Sequence, residues 1–200
     1  MALSKRSWVA DNLPQTIPGG VRERPNRHAW KACEAQVSVG SNPTSSAMNS
    51  EYEAAMRVAL EQAELAAVAG DVPVGAVVLH KGKIIAARHN EREVTNDPTA
   101  HAEVLALRDA ARVLETWHLD ECTLVVTLEP CIMCAGALLN ARLKTLVFGA
   151  ADLKAGATSS LYNVCSDPRL NHNPEVVNGV LHYESAVLLK NFFELKRASN

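Results

Sequence analysis

From residue 50 onward, apolar and polar positions follow clear helical and strand periods. Ser50 is a candidate N-cap for an apolar pattern of helical spacing that continues to about Ala69. Residues 74–79 form a short apolar run rich in β-branched side chains, and Lys81-Gly82 offers a turn into a second run at residues 83–87. The pattern predicts a helix followed by a β-hairpin.

The second half of the chain alternates predicted strands with predicted helices. Residues 89–98 are polar and loop-like, and Asp97-Pro98-Thr99 supplies an N-cap for the helix that follows. Alternating units of this kind are typical of an α/β fold. The predicted elements are a helix at 100 to about 114, a strand at 123–127, a helix from Pro130 to about 140, a strand at 145–148, an extended pair at 176–177 and a helix at 183–196. The apolar run at 145–148 predicts a strand covered on both faces.

The apolar positions of residues 1–48 follow neither a helical nor a strand period. This part of the chain ends in a linker-like stretch at residues 41–46. They are predicted to be a mostly disordered N-terminal extension, followed by one domain at residues 49–200. Two alternatives stay open. The extension is an organelle transit peptide, or the start codon has been assigned too early and the chain begins at Met48.

Composition places the chain among globular proteins. It has 48% hydrophobic residues, no apolar run of membrane-span length and no secretory signal at its start. We expect a cytoplasmic protein that does not enter a membrane. Cys33, Cys122 and Cys165 are predicted to be free thiols, because bridges are rare in that compartment.

Charge differs between the two parts of the chain. Residues 1–48 contain six Lys or Arg against three Asp or Glu, whereas the remainder contains 14 against 19. An acidic domain counts against a polynucleotide partner unless cations gather at the binding site. The candidates for such a cluster are Arg142, Lys144, Lys154, Lys190, Lys196 and Arg197.

Two short motifs predict a zinc site. His101-Ala102-Glu103 and Pro130-Cys131-Ile132-Met133-Cys134 together supply one imidazole and two thiolates. Catalytic zinc takes three protein ligands and leaves the fourth position for water, and His101, Cys131 and Cys134 fit that set. Glu103 is predicted to move protons to and from that water. The combination is the signature of zinc nucleobase deaminases.

The motifs have other interpretations. A closed structural zinc site would need a fourth ligand, for which Cys122, Cys165 or His172 are candidates, but it would have no use for Glu103. The paired cysteines also suit a redox dithiol. The alternatives for an enzyme-like chain are a deaminase of a free nucleobase or nucleoside, such as guanine or cytosine, and an inactive partner subunit that keeps the fold.

Over residues 50–198 the chain resembles the cytidine-deaminase-like superfamily, and within it the bacterial tRNA-specific adenosine deaminases. The resemblance is carried by residues 97–103 and 128–137, by Phe148-Gly149-Ala150 with Asp152 and residues 154–157, and by Asn171-His172. Ser159 and Asn173 depart from the usual residues of that family. Both departures lie where RNA contacts are expected.

The resemblance implies a three-layer α/β/α sandwich around a mixed, mostly five-stranded sheet. It implies a homodimer with one Zn²⁺ per subunit and no organic cofactor. It also implies that the substrate is a tRNA, usually an arginine tRNA, whose wobble adenosine becomes inosine. Carried over by position, Glu103 is the catalytic residue, and Asn90, the Ala102 backbone N–H and Asp152 contact the substrate.

Overall fold

The computed structural model describes residues 46–199. Helix α1 (Ser46–Val68) precedes a hairpin of β1 (Gly75–His80) and β2 (Lys83–His89). The remaining elements are α2 (Arg92–Thr95), α3 (Ala102–Val113), β3 (Cys122–Leu128), α4 (Ile132–Asn140), β4 (Thr145–Ala150), a 3₁₀ turn (Val164–Ser166), β5 (Glu175–Asn178) and α5 (His182–Ala198). Each helix and strand predicted from the pattern is present with shifted ends.

The five strands form one mixed sheet in the order β2-β1-β3-β4-β5. Strand β1 pairs antiparallel with β2 and with β3, whereas β3–β4 and β4–β5 are parallel. Lys81 and Gly82 both have positive φ, as a tight turn between β1 and β2 requires. All six residues of β4 are buried, in agreement with the prediction of a strand covered on both faces.

Alternate side chains of the central strands enter two separate cores. On one face, Val78, Val126 and Phe148 pack against α3 and α4. On the other, Val77 and Val125 pack against α1, and α5 contacts α1 and β4 on that side. The period-2 alternation of strands thus builds the predicted three layers, with helices on both faces of the sheet. The predicted fold class is confirmed.

Two helix starts differ from the predictions. Helix α1 begins at Ser46, so Ser50 lies inside the helix and is not its N-cap. The segment Asp97-Pro98-Thr99 is predicted to supply the N-cap of the next long helix, but the carboxylate of Asp97 accepts hydrogen bonds from the N–H and the hydroxyl of Thr99, at 2.8 and 2.7 Å. That carboxylate therefore closes a local turn, and the residue before α3 is His101.

The loop between β2 and α3 contains a short helix that the polar pattern did not indicate. Helix α2 covers four residues and ends at Asn96, which adopts the left-handed conformation. Asn is one of the few residues that tolerates this backbone geometry. The consequence for the site is that Arg92, the first residue of α2, has a fixed position.

Several expectations fall partly or wholly outside the described residues. The predicted disorder of residues 1–48 concerns residues 1–45, which lie outside them, while residues 46–48 belong to α1. Cys33 also lies outside. Cys122 and Cys165 are free thiols, as predicted. None of the helices between residues 46 and 199 combines the length and the apolar character of a membrane span.

Candidate metal centre and active site

The predicted zinc ligands come together at the starts of two helices. His101 precedes α3 and Cys131 precedes α4, and both have extended backbone angles that turn the chain into the helix. Helices α3 and α4 lie side by side on the same face of the sheet. Cys134 follows in the first turn of α4. Free N–H groups at such a helix start favour a thiolate over a thiol.

The spacing of the ligand atoms suits a tetrahedral metal ion. The Nδ1 atom of His101 lies 3.8 Å from Sγ of Cys131 and 3.5 Å from Sγ of Cys134. Zinc ligands with bonds of about 2.0 Å to nitrogen and about 2.3 Å to sulfur lie about 3.5 Å apart at a tetrahedral angle. The three ligand atoms all fall within 4.8 Å of one another. The donor set therefore fits zinc in both chemistry and spacing.

The contacts of Cys131 shift the pKa values of this cluster. Hydrogen bonds from Cys134 and from His101 lower the pKa of Cys131 to about 3. The hydrogen bond with Cys131 raises the pKa of His101, and the hydrogen bond with Cys131 together with burial raises the pKa of Cys134. Zinc binds the thiolate form of cysteine, so the lowered pKa of Cys131 favours the form that a metal needs.

Glu103 is a buried carboxylate with an unused oxygen. Its exposed fraction is 4%, and Oε2 has no hydrogen-bond partner among the described residues. Burial raises its pKa. A buried carboxylate is costly unless something outside the chain completes its bonding. Glu103 lines a cavity of about 130 Å³ together with His101 and Cys131, so a substrate or water in that cavity can meet the free oxygen.

Asn90 and Ala102, the two predicted base contacts, are bonded to each other. Oδ1 of Asn90 accepts the N–H of Ala102 at 2.9 Å, and Nδ2 of Asn90 donates to the carbonyl of Val72 at 3.1 Å. Asn90 lines the cavity and keeps a second amide hydrogen and a second lone pair for a ligand. The N–H of Ala102 is already used, so a base contact there would have to share it.

Asp152 lines the same cavity and also shapes the loop after β4. Its Oδ1 accepts the backbone N–H groups of Lys154 and Ala155, at 2.8 and 3.2 Å. These bonds are those of a turn residue. A role in contacting nucleic acid stays a prediction.

The proposed fourth ligands of a closed site lie elsewhere. In the described part of the chain, no cysteine or histidine joins His101, Cys131 and Cys134 in a metal-binding group. Nε2 of His172 lies 2.6 Å from the carbonyl oxygen of Leu143, so that ring is engaged at another place. The geometry therefore favours a three-ligand site with an open position, which is the catalytic type.

Glu129 is a site residue whose importance the motifs did not reveal. This residue is 2% exposed and lines the cavity. Its carboxylate accepts hydrogen bonds from the backbone N–H groups of residues 152, 158, 159 and 160 and from the hydroxyls of residues 158–160. Burial raises the pKa of Glu129, but the bonds from Ser160 and its neighbours outweigh that effect and lower it.

The loop of residues 152–160 is built closely around this carboxylate. A Cβ atom added to Gly156 would lie 2.5 Å from the carboxylate of Glu129, so only glycine fits there. Ser159, which departs from the related family, donates through both its N–H and its hydroxyl. Glu129 therefore holds the wall of the cavity that carries Asp152.

Replacing Glu129 by glutamine is expected to lower the free energy of unfolding by about 1–3 kcal/mol, because an NH₂ group, which accepts no hydrogen bond, then replaces one of the two carboxylate oxygens that accept bonds from the loop. Denaturant unfolding of both proteins measures the change. Glu121→Gln is the matched control, since Glu121 is 65% exposed and pairs with Lys81 on the surface, where an ion pair contributes at most about 1 kcal/mol. Equal losses in the two variants would contradict the role of Glu129.

Comparisons with known proteins all identify deaminases. Residues 50–197 match the family model of MafB19-like deaminases. The chain is 47% identical to the tRNA-specific adenosine deaminase of Haemophilus influenzae, over 72% of this chain and 84% of that protein. It is 44% identical to the tRNA-specific adenosine deaminase of Aquifex aeolicus, over 71% of this chain and 93% of that one.

Solved structures give the same answer at the level of the fold. A structure from a study of A-to-I editing by tRNA:A34 deaminases at the wobble position is similar with a TM-score of 0.66 and 41% identity, over 68% of this chain and 99% of that one. The guanine deaminase of Nitrosomonas europaea is similar with a TM-score of 0.62 and 29% identity, over 70% and 83% of the two chains. With the site geometry and these identities together, the chain belongs to the tRNA-specific adenosine deaminase family.

Proposed function

We propose that this protein hydrolyses the exocyclic amine of adenosine at the wobble position of a tRNA anticodon and so produces inosine. The observation that carries the proposal is the buried carboxylate of Glu103, with one free oxygen, beside the His101, Cys131 and Cys134 cluster. Family membership supports adenosine in tRNA as the substrate. An arginine tRNA is the particular substrate we propose.

His101, Cys131 and Cys134 are the residues that would hold one zinc ion. When bound, zinc supplies the Lewis acidity that makes a water molecule nucleophilic near neutral pH. Glu103 supplies the proton transfers. It accepts a proton from the water that attacks C6 of adenine and delivers it to the ring nitrogen. It then assists the departure of ammonia.

The cavity residues position the base for this reaction. The remaining hydrogen and lone pair of the Asn90 amide are free to bond the edge of a flipped adenine, while its bond to Ala102 fixes the amide plane. Asp152 lies on the opposite loop and is proposed to contact the neighbouring nucleotides. An anticodon base suits this cavity, because it is already unpaired and costs little to flip.

A guanine deaminase is the second candidate, because the solved guanine deaminase shares the fold at 29% identity. The identities of 44–47% to tRNA-specific enzymes favour the tRNA substrate. Parallel incubations with total bacterial tRNA and with free guanine, followed by analysis of the products, distinguish the two. Inosine should accumulate in the tRNA. Its absence, together with the conversion of guanine to xanthine, would establish the second candidate.

We further propose a homodimer in the cytoplasm that needs no organic cofactor. Large apolar side chains are exposed near the cavity, on α4 and on the loop after β4, and a second subunit would cover them. These residues are Ile132, Leu153, Leu161 and Tyr162, each more than half exposed. Sedimentation analysis should give twice the mass of one chain, and a monomer at micromolar concentration would contradict this part of the proposal.

A chain that begins at Met48 is expected to fold and to deaminate RNA at the rate of the full chain. The buried residues of α1 begin at Tyr52, and the lining of the cavity begins at Val72. Inosine formation by the two proteins, measured side by side, tests this. A folded but inactive shortened protein would show that the preceding residues contact the substrate, with their excess of basic residues as the reason.

A further inference from the structure

Arg92 is the one lysine or arginine among the described residues that line the cavity. The six basic residues considered from the sequence are absent from that lining. The other charged groups there include the carboxylates of Glu103, Glu129 and Asp152. An RNA strand that enters such a site carries a phosphate with each nucleotide, and the acidic wall repels it. A cation at this position would offset the repulsion between the acidic wall and the phosphates of the RNA.

A buried carboxylate lies behind Arg92. Asp71, three residues after the end of α1, is fully buried and accepts the N–H of Val72 at 2.7 Å and the N–H of Glu93 at 2.9 Å, and the second bond ties α2 to this carboxylate. The Nε atom of Arg92 lies 3.8 Å from Oδ1 of Asp71, which is close enough for an ion pair but not for a hydrogen bond. That Nε atom has no hydrogen-bond partner among the described residues.

The outer end of the guanidinium group is left for a ligand. The side chain of Arg92 is 37% exposed, and its terminal nitrogens donate to no described residue. The neighbouring Arg88 is similarly exposed, at 33%, but its terminal nitrogens bond Glu91 at 2.7 Å and Asp109 at 3.2 Å. The two arginines thus differ in their partners. Arg88 connects the loop to α3 through its ion pairs, whereas the terminal nitrogens of Arg92 are left for a ligand.

Arg92 lies in the same cavity as the site residues. His101 and Glu103 line that cavity together with Arg92. The guanidinium group is therefore close to the reacting end of the cavity. It lies on the same loop as Asn90, two residues further along the chain.

We propose that Arg92 binds a phosphate of the RNA strand beside the flipped nucleotide, and so makes the enzyme prefer RNA to free nucleosides. The proposal rests on the function proposed above. A guanidinium group offers two parallel N–H donors that match two phosphate oxygens. Free adenosine has no phosphate, so Arg92 contributes nothing to its binding.

The test compares Arg92→Gln, Arg92→Lys and the wild type on an anticodon stem-loop. The control is Arg112→Gln, because Arg112 is 70% exposed and pairs with Asp109 on α3. The ratio kcat/KM is measured over about 50–300 mM salt. Losing one phosphate contact should reduce the slope of log kcat/KM against log salt by about 0.7–1.

Arg92→Gln should lower kcat/KM for the stem-loop about 10-fold or more at low salt, mainly by raising KM. The dependence of kcat/KM on salt should be weaker than in the wild type. Arg92→Lys should keep the salt slope, because lysine keeps the positive charge. Its kcat/KM for the stem-loop should fall several-fold, because lysine lacks the two parallel N–H donors of the guanidinium group. Arg112→Gln should match the wild type. Turnover of adenosine should fall far less than turnover of the stem-loop in the two Arg92 variants, and should not change in Arg112→Gln. If Arg92→Gln does not fold, the lysine variant decides, because its KM should rise much more for the stem-loop than for adenosine.

An unchanged salt slope in Arg92→Gln, or equal losses on the stem-loop and on adenosine, would overturn the proposal and leave Arg92 a structural residue. A wild type that fails to deaminate the stem-loop would instead refute the proposed function, and the inference with it. The two failures are therefore distinguishable in one set of measurements.

Discussion

Glu103→Gln is expected to give a folded protein that binds zinc normally and turns over RNA about 10²–10⁴-fold more slowly. The amide has nearly the size of the carboxylate, and the exposed fraction at this position is 4%, so packing is preserved. What disappears is the carboxylate that we propose accepts and returns the proton. Because no other carboxylate with a free buried oxygen is found among the described residues, nothing replaces it.

Single-turnover inosine formation and zinc content, measured on the same sample, test this expectation. Glu64→Gln is the matched control, since Glu64 is an exposed residue of α1 and should leave both quantities unchanged. Near-normal inosine formation by a zinc-loaded Glu103→Gln protein would assign the proton transfers to another residue.

Cys131→Ala is expected to lose zinc, activity and stability together. We propose three ligands for the ion, and the loss of one would leave two, too few for tight binding. A metal that binds only the folded chain stabilises it by about 4 kcal/mol when its free concentration is about 1,000 times the dissociation constant. The variant forfeits that contribution, and α3 and α4 are no longer tied together through the ion.

Metal analysis and thermal unfolding with and without added zinc measure both effects. Cys122→Ala is the control, because Cys122 is a buried thiol on β3 outside the ligand group. It should keep one zinc per chain and lose about 1 kcal/mol for the small cavity. Undiminished zinc in Cys131→Ala would remove Cys131 from the site.

Local signals in the sequence were enough to predict most of the fold. The Lys81-Gly82 turn lies where two apolar runs meet, and the structure has the hairpin there with a paired β1 and β2. The uninterrupted apolar run of β4 predicted a strand buried on both faces. Such signals succeed because the period of burial is set within each element.

Helix starts were predicted less well, for a physical reason. Ser50 and Asp97 are both of residue types that favour the N-cap. Whether such a residue caps a helix depends on the conformation of the backbone that leads into the helix, which a short sequence pattern does not determine. In the structure, α1 begins earlier, and the carboxylate of Asp97 is used within its own turn. The start of α3 is instead placed at His101.

The partners of Glu129 could not be predicted, because they lie 23 to 31 residues further along the chain. A motif shows which residues carry the chemistry and not which loop folds over them. Arg92 was overlooked for a related reason. It lies in a segment that looked like an irregular polar loop, and its role depends on Asp71 at the end of a different helix.

The most direct test of the proposed function is a comparison of four substrates at matched concentrations: an arginine-tRNA anticodon stem-loop, adenosine, guanine and cytidine. The stem-loop should be deaminated far faster than the three small molecules, and added salt should slow its reaction, because phosphate contacts contribute to its binding. Faster deamination of guanine, cytidine or free adenosine would contradict the assignment of tRNA as the substrate.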